Sequence, residues 1–385
     1  MIISVNVAVV GAGIIGCAIA HELAARGARV TVFERRGVAR GASWASAGVL
    51  APWIEAGHAR ERSGVSGAPR ATEPGGVQGA PPQETTPLHE MCARSLAMYD
   101  GFVDRVRADG GSAFEYARPG TFETACTEEQ AEALQRTAKA LRAAGVRAAW
   151  LDRDAAHALE PALGERILGG LRIDDHGFAE MPALAGALAV AARMRGAAFH
   201  APVDVTKIEP APGGLVRLHA GGTPRVFDRA VIAAGSWANR LKTGAPQVRP
   251  VKGQLVRLRF ETPPATRVLW SAGCYIVPWQ DGTVLVGATM EDAGFDERPT
   301  SAGVSQLLEA AAALLPAARD AAFVDVRAGL RPSLGGGAVP FVGPSPAIAG
   351  VTIAAGHFRN GVLLAPLTAA LAADQVLGDT NAETQ

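Results

Sequence analysis

The sequence predicts an α/β protein in which a Rossmann-like dinucleotide-binding domain, discontinuous along the chain, carries an inserted α+β domain built on a mostly antiparallel sheet. Three observations lead there. A β-α-β unit with glycines at its first turn occupies the N-terminus. Alternating strand and helix character returns at the C-terminus. The stretch between them is richer in runs with strand character. The length, 385 residues, also favours two domains over one simple core.

In chain order, residues 7–10 form a continuous apolar run, as expected of a central parallel strand. Ile15, Ile19 and Leu23 then recur at i, i+4 and i+8, on one face of a helix that Gly27 ends. Residues 30–33 supply the second strand. Residues 55–87 contain no Leu, Ile, Met, Phe, Tyr or Trp and are dominated by Gly, Pro, Ser, Thr and charges. Such a stretch buries too little apolar area to offset the entropy of ordering it, so a disordered surface insertion is expected. Helices are expected over 88–106, 128–144, 182–194 and 301–315. Strands are expected over 215–219, 230–232, 255–260, 275–278, 283–286 and 351–354, and a last helix over 361–377.

Composition narrows the function classes. Hydrophobic residues make up 48 %, charged residues 19 %, and the net charge is zero. A balanced charge exerts no long-range pull on nucleic acid or anionic lipid. No apolar run reaches the ~18 residues of a membrane span. The apolar start, MIISVNVAVVGAG, lacks a basic n-region and a cleavage site and runs straight into the glycine turn, so it reads as a buried strand. Cys17, Cys92, Cys126 and Cys274 are scattered, without a Cys-x-x-Cys pair. Neither a metal site nor a disulfide framework is expected, and a reducing cytoplasm is the simplest compartment.

Three motifs carry the chemistry. In VVGAGIIG, Gly11 permits the tight turn from strand to helix, Gly13 lets the backbone approach a pyrophosphate, and Gly16 lets the helix pack on the sheet. Amides at the helix start would hold the phosphates. Glu34, closing the second strand, would accept hydrogen bonds from the ribose hydroxyls and repel a 2′-phosphate, which disfavours NADP. These glycines do not separate FAD from NAD. The second motif, RGASWASAGVLAPW, concentrates small residues where a large flat ring would lie along backbone, and Ser43 and Ser46 would donate to phosphate or ring. The third, AGHFRNGVLLAP, places a strand before a helix expected to open near Gly361, with Asn360 as its N-cap. A helix start aimed at a flavin would stabilise the negative charge of the reduced ring.

Five segments in order complete the pattern: VVGAGIIG with FERR, ASAGVLAPW, RPVKGQLVRL, CYIVPWQDGTVLVGATMEDAGFD, and RAGLRPSLGGGAVPFVGPSP with AAGHFRNGVLLAP. They resemble the D-amino-acid oxidase (DAO) superfamily of flavoproteins, and within it the bacterial glycine oxidase branch, the ThiO type of thiamine biosynthesis. The resemblance spans nearly the whole chain except the 55–87 insertion. It implies a GR2/DAO-type FAD-binding domain, expected from residues 1–54, 160–247 and 325–385, and a substrate domain from 88–159 and 248–324.

By that resemblance Ile14, Ile15, Glu34, Arg35, Ala42, Ser43, Ala47, Gly48 and Val49 line a non-covalently bound FAD, and Val203 contacts its adenine through backbone. The loop of His357, Phe358, Arg359, Asn360, Gly361, Val362 and Leu363 faces the flavin ring. Arg331, in GLRP, matches the carboxylate-binding arginine, Tyr275 the tyrosine that assists it, Arg359 a second arginine near substrate, and Met290 a side chain that limits the pocket. A guanidinium grips a carboxylate with two parallel hydrogen bonds and so orients as well as attracts it. The substrate Cα would then face flavin N5 for hydride transfer, with positioning as the main catalytic device.

The implied activity is oxidative deamination of glycine, sarcosine or a small D-amino acid to an imine and then a 2-oxo acid, with oxygen reduced to hydrogen peroxide. Two positions depart from the branch. Val49 stands where Met is usual, and Gly273 stands two before Tyr275 where the well-known form carries His. The exact amine is therefore open. So are a dehydrogenase for a D-amino acid or proline that passes electrons to a quinone or partner subunit, a catalytically silent flavin-binding subunit, an NAD-linked reductase, and a homo-oligomeric state.

Overall fold

A computed structural model describes residues 4–54, 86–110, 114–335 and 338–382. Its first layer is a six-stranded sheet in the order Phe341–Pro344, Val351–Ala355, Arg229–Ile232, Asn6–Val10, Arg29–Phe33, Ala198–His200, parallel except for Phe341–Pro344. From Val7 to Val10 the strand Asn6–Val10 is apolar and buried, because both faces of its sheet are covered. Val7 and Val9 pack with the helices Ile14–Ala25, Ala183–Met194 and Ala365–Ala382. Ala8 and Val10 pack with Val205, Ile208, Val216 and Phe227 of a three-stranded antiparallel sheet.

The second layer is an eight-stranded sheet in the order Ala322–Ser333, Arg249–Arg259, Thr283–Gly287, Tyr275–Pro278, Val268–Trp270, Thr121–Ala125, Gly169–Ile173, Ala148–Asp152. It is antiparallel except where Val268–Trp270 meets Thr121–Ala125. Alternation assigns its faces. Leu255, Val277 and Leu285 pack under Leu134, Ala138 and Leu141 of the helix Glu128–Ala143. Val256, Ile276 and Val286 pack under Leu307, Ala311 and Leu314 of the helix Ser301–Leu314. Both helices start on a threonine cap: Thr127 accepts from the Gln130 amide (3.2 Å) and Thr300 from the Gly303 amide (3.2 Å).

The structure departs from the sequence expectations at several places. Residues 55–85 of the expected insertion lie outside the described residues; Thr86 and Pro87 open the helix Pro87–Ala97, with Thr86 accepting from the His89 amide (3.3 Å). A second helix, Tyr99–Gly110, follows after Met98, where one helix over 88–106 was expected. The last helix starts at Ala365, not near Gly361. The longest strand among the described residues, Ala322–Ser333, is missed by the sequence reading although Val324, Val326, Ala328 and Leu330 alternate with Asp325, Arg327, Gly329 and Arg331. Gly169–Ile173 is hydrogen-bonded within the eight-stranded sheet, although the division above grouped it with the nucleotide-binding segments.

Two histidines are buried neutral. His176 carries the Gly120 amide on its carbonyl (3.0 Å), and its Nδ1 shares a hydrogen bond with Thr121 Oγ1 (2.8 Å). Burial pushes its pKa down from 6.5 to about 3, and that of His357 to about 4. Each folded-state value lies below the unfolded one, so this stability is present above pH ~6.5 and is lost as pH falls toward the folded values, at about 1.4 kcal/mol per histidine per pH unit. Melting temperature is therefore expected to hold between pH 7 and 8 and to fall steadily from pH 6.5 to 4.5. A His176→Asn variant should show a shallower fall in the same scans.

Candidate functional site

A cavity of about 420 Å³ runs from the first glycine turn to the eight-stranded sheet. That is within the usual size of a ligand cleft. Gly11 adopts φ +105°, and a Cβ there would overlap the Ala233 carbonyl. A Cβ on Gly16 would overlap the carbonyl of Gly11, so this glycine serves helix–turn packing and does not itself line the cavity. Gly13 differs: its φ is −73°, and the nearest protein atom to an added Cβ is Ser43 Oγ at 3.3 Å. An added Cβ there would meet no backbone and would ask the Ser43 hydroxyl to give by only a few tenths of an ångström, so the protein constrains Gly13 far less than Gly11 or Gly16, and its open side faces the cavity.

The carboxylate of Glu34 is fixed from behind. Its Oε2 accepts the Ala12 amide (2.9 Å) and its Oε1 accepts the Arg36 amide (2.8 Å). Each oxygen retains acceptor capacity for a ribose hydroxyl. Ser43 Oγ accepts the Ile14 amide (2.9 Å) at the helix start, which leaves its proton available as a donor to a ligand. Ser46 Oγ likewise accepts the Gly48 amide (3.3 Å). The Val203 amide donates to the Glu34 carbonyl (2.7 Å), which commits that amide within the protein. Arg35 lies with its guanidinium carbon 3.9 Å from the Trp237 ring centroid, and its Nη2 is buried without a hydrogen-bond partner. That orphaned donor, the carboxylate cradle of Glu34 and the side-chain-free turn at Gly13 together fit the adenosine diphosphate half of FAD.

At the far end of the same cavity stand Tyr275, Met290, Arg331 and Arg359. Arg331 projects from the strand Ala322–Ser333 across Gly253 of the neighbouring strand; a Cβ on Gly253 would occupy the place of the guanidinium. Its Nη1 donates to the carbonyls of Thr289 (3.1 Å) and Lys252 (3.4 Å). Tyr275 packs on Trp270, ring centroids 4.9 Å apart. Ile15, Ala42, Ala47, Gly48, Val49, His357, Phe358, Gly361 and Val362 also line the cavity. Phe358 holds φ +48°, a conformation uncommon outside glycine.

Besides Gly16, two expected residues do not line it. Leu363 is packed into the core among the helices. Asn360 sits inside the 3-10 turn Phe358–Asn360, so it caps no helix: its carbonyl accepts the Leu364 amide (2.8 Å), and its buried Oδ1 has no hydrogen-bond partner. His357 is buried beneath the turn and shares a hydrogen bond with Thr368 Oγ1 (3.0 Å), which ties the loop to the last helix.

Sequence reasoning missed a second crossing of backbone and cavity. Ala233, Ala234, Gly235, Ser236 and Trp237 line it just after the strand Arg229–Ile232. The signal was present: VIAAGSW is an apolar strand ending in small residues, as in the first turn. Trp270 and Leu330 were also missed, because nothing local marks them. Among the described residues, no group of three or more His, Cys, Asp or Glu is placed to hold a metal ion, and no helix is long and apolar enough to cross a membrane.

Comparison with known proteins agrees with this geometry. The family model described as FAD dependent oxidoreductase (DAO) matches residues 6–375. A glycine oxidase from Geobacillus kaustophilus (strain HTA426) is 36 % identical over 376 residues, which is 96 % of this chain and 92 % of the relative. A bifunctional protein ThiO/ThiG from Nostoc sp. is 32 % identical over 97 % of this chain but 52 % of its own length. The crystal structure of glycine oxidase from Geobacillus kaustophilus superposes with a TM-score of 0.85 at 34 % identity, covering 97 % of this chain and 95 % of that one. The chain belongs to the DAO family of FAD-dependent oxidoreductases.

The two glycines make opposite demands. Gly13→Ala should fold normally, with a melting temperature within about 4 °C of wild type after flavin is stripped from both, yet bind FAD at least ~10-fold more weakly. Gly16→Ala should lose about 3 kcal/mol or more of stability, because backbone must move. Urea unfolding and fluorescence titration with FAD separate the two.

Proposed function

We propose that the chain oxidises the carbon–nitrogen bond of a small amino acid, glycine, sarcosine or a small D-amino acid, to an imine that water hydrolyses to the 2-oxo acid. The hydrolysis releases ammonia, or methylamine from sarcosine; oxygen is the final electron acceptor and is reduced to hydrogen peroxide. The observation that carries the reading is the Arg331 guanidinium, held at the opposite end of the same cavity as the glycine turn and Glu34. Bound FAD supplies the two-electron acceptor for this chemistry. The remaining roles are assigned to this chain's own groups.

Arg331 binds the substrate carboxylate with paired N–H donors and fixes its orientation, while the Tyr275 hydroxyl adds a further donor. Arg359 stands nearby as a second cation, and Met290 with Trp270 limits the pocket and keeps water from the reacting carbon. A substrate amine that enters neutral needs no side-chain base, so positioning is the principal contribution. Val49 and Gly273 both line the cavity, so their departure from the branch bears directly on which amine fits. Gly11, Gly13, Ile15, Glu34, Arg35 and the 357–362 loop are assigned to FAD. A thiamine-biosynthesis setting accords with the likeness to a ThiO/ThiG protein. A cytoplasmic location accords with four free cysteines, three of them buried.

The test is a panel of glycine, sarcosine, D-alanine, D-proline and L-proline against the purified flavoprotein, with flavin bleaching and peroxide recorded together. Bleaching by at least one, with stoichiometric peroxide in air, is expected. A yellow protein that none of them bleaches without oxygen is the result that sinks the reading; bleaching with little peroxide points to a dehydrogenase. Arg331→Ala should retain its flavin and lose about 10³-fold in kcat/KM, or ~4 kcal/mol of transition-state stabilisation. Arg331→Lys keeps the charge but not the fork, and steady-state kinetics should find only partial recovery.

A further inference from the structure

Arg331 does not hold itself in place. Both carbonyls that its Nη1 engages belong to segments tied together by an ion pair whose lysine is buried. The Lys252 side chain is 1 % exposed, and its Nζ lies 3.1 Å from Glu291 Oε2. The other carboxylate oxygen of Glu291 accepts from Thr289 Oγ1 (2.5 Å) and Gln254 Nε2 (2.6 Å). Backbone bonds run in parallel: the Lys252 amide to the Glu291 carbonyl and the Glu291 amide to the Lys252 carbonyl, each 2.9 Å. Thr289 Oγ1 accepts the Gln254 amide (2.9 Å), and Gln254 accepts the Thr300 amide (2.8 Å) at the head of the helix Ser301–Leu314. Thr289 and Lys252, whose carbonyls accept from Arg331, thus both send their side chains to one carboxylate.

We propose that the Lys252–Glu291 pair is a positioning device for Arg331 and thereby sets the affinity for the substrate carboxylate; this rests on the function proposed above. A guanidinium discriminates a carboxylate by its fork geometry, which a shift of about 1 Å in its two backbone acceptors would spoil. The Lys252 ammonium is buried while the Glu291 side chain stays 29 % exposed, and a pair that desolvates its cation is weak evidence for a purely stabilising role. Its place beneath the acceptors of the binding arginine supplies the other role. Burial opposes ionisation of Glu291, but hydrogen bonds from Thr289, Gln254 and Lys252 outweigh it and hold its pKa below the ordinary value. Neither Lys252 nor Glu291 lines the cavity, so neither touches substrate, and both act through Arg331.

The experiment uses the FAD-loaded protein and acetate, a carboxylate that cannot be oxidised, titrated against the visible spectrum of the bound flavin. In Lys252→Met and Glu291→Gln the acetate Kd and the KM for the amino acid should rise together, at least fivefold, with kcat within twofold. Lys252→Arg should restore both. Thr289→Val, which keeps the ion pair and removes one tie to it, should raise both at least twofold and serves if the charge variants fail to fold. A purely structural role would instead lower the melting temperature and leave acetate Kd and KM at wild-type values, and that result overturns the proposal. Wild-type flavin that acetate perturbs but no amino acid bleaches overturns the proposed function alone; wild-type bleaching with unchanged Kd in every folded variant overturns this inference alone.

Discussion

One strand has to satisfy two sheets at once. Ala322–Ser333 pairs along its length with Arg249–Arg259 at the edge of the eight-stranded sheet. Its C-terminal half meets the nucleotide-binding layer: the Leu330 carbonyl accepts from Ser236 Oγ (2.9 Å), and Ser333 bridges to His357. Arg331 lies between these two ties. Its reach into the cavity is therefore decided by register, because a slip of one residue would turn it to the opposite face. The pocket lies where this edge strand is tied to the turns that follow the strands Arg229–Ile232 and Val351–Ala355.

The two ends of the cavity are prepared by different physics. At the glycine turn, backbone approaches where side chains are absent, and a carboxylate is held by two amides. Elsewhere along the lining a guanidinium is held by two carbonyls, whose segments are joined by the Lys252–Glu291 pair. Both charged groups are anchored by main chain, whose positions secondary structure fixes. Long side chains anchored on one another would lose that precision to rotamer freedom. The two aromatic contacts, Arg35 on Trp237 and Tyr275 on Trp270, stiffen the remaining flexible members.

Much of this was legible in the chain. Gly11, Gly13, Gly16 and Glu34 act locally, within one strand–turn–helix unit, and local geometry is what a residue pattern encodes. The assignments of Arg331, Tyr275 and Met290 came from resemblance over long segments. Residues 233–237 show the limit. They repeat the logic of the first turn, but only the pairing of Arg229–Ile232 beside Asn6–Val10 brings them to the same cavity. Asn360 shows the reverse error: a good cap type, placed inside a 3-10 turn because the last helix starts at Ala365.

By itself, the sequence determined the dinucleotide turn, the acidic residue that follows it, the sheet faces with clear alternation, and the residue types available for gripping an acid. Those are short-range properties, set by φ/ψ preference and by the periods of strand and helix. Tertiary structure alone decided that Lys252, Gln254, Thr289 and Glu291 converge behind Arg331. It also decided that Gly253 must lack a side chain, and that one strand delivers the arginine to the cavity. Those depend on register between strands far apart in sequence, and register is settled by which faces can be buried together once the whole sheet forms.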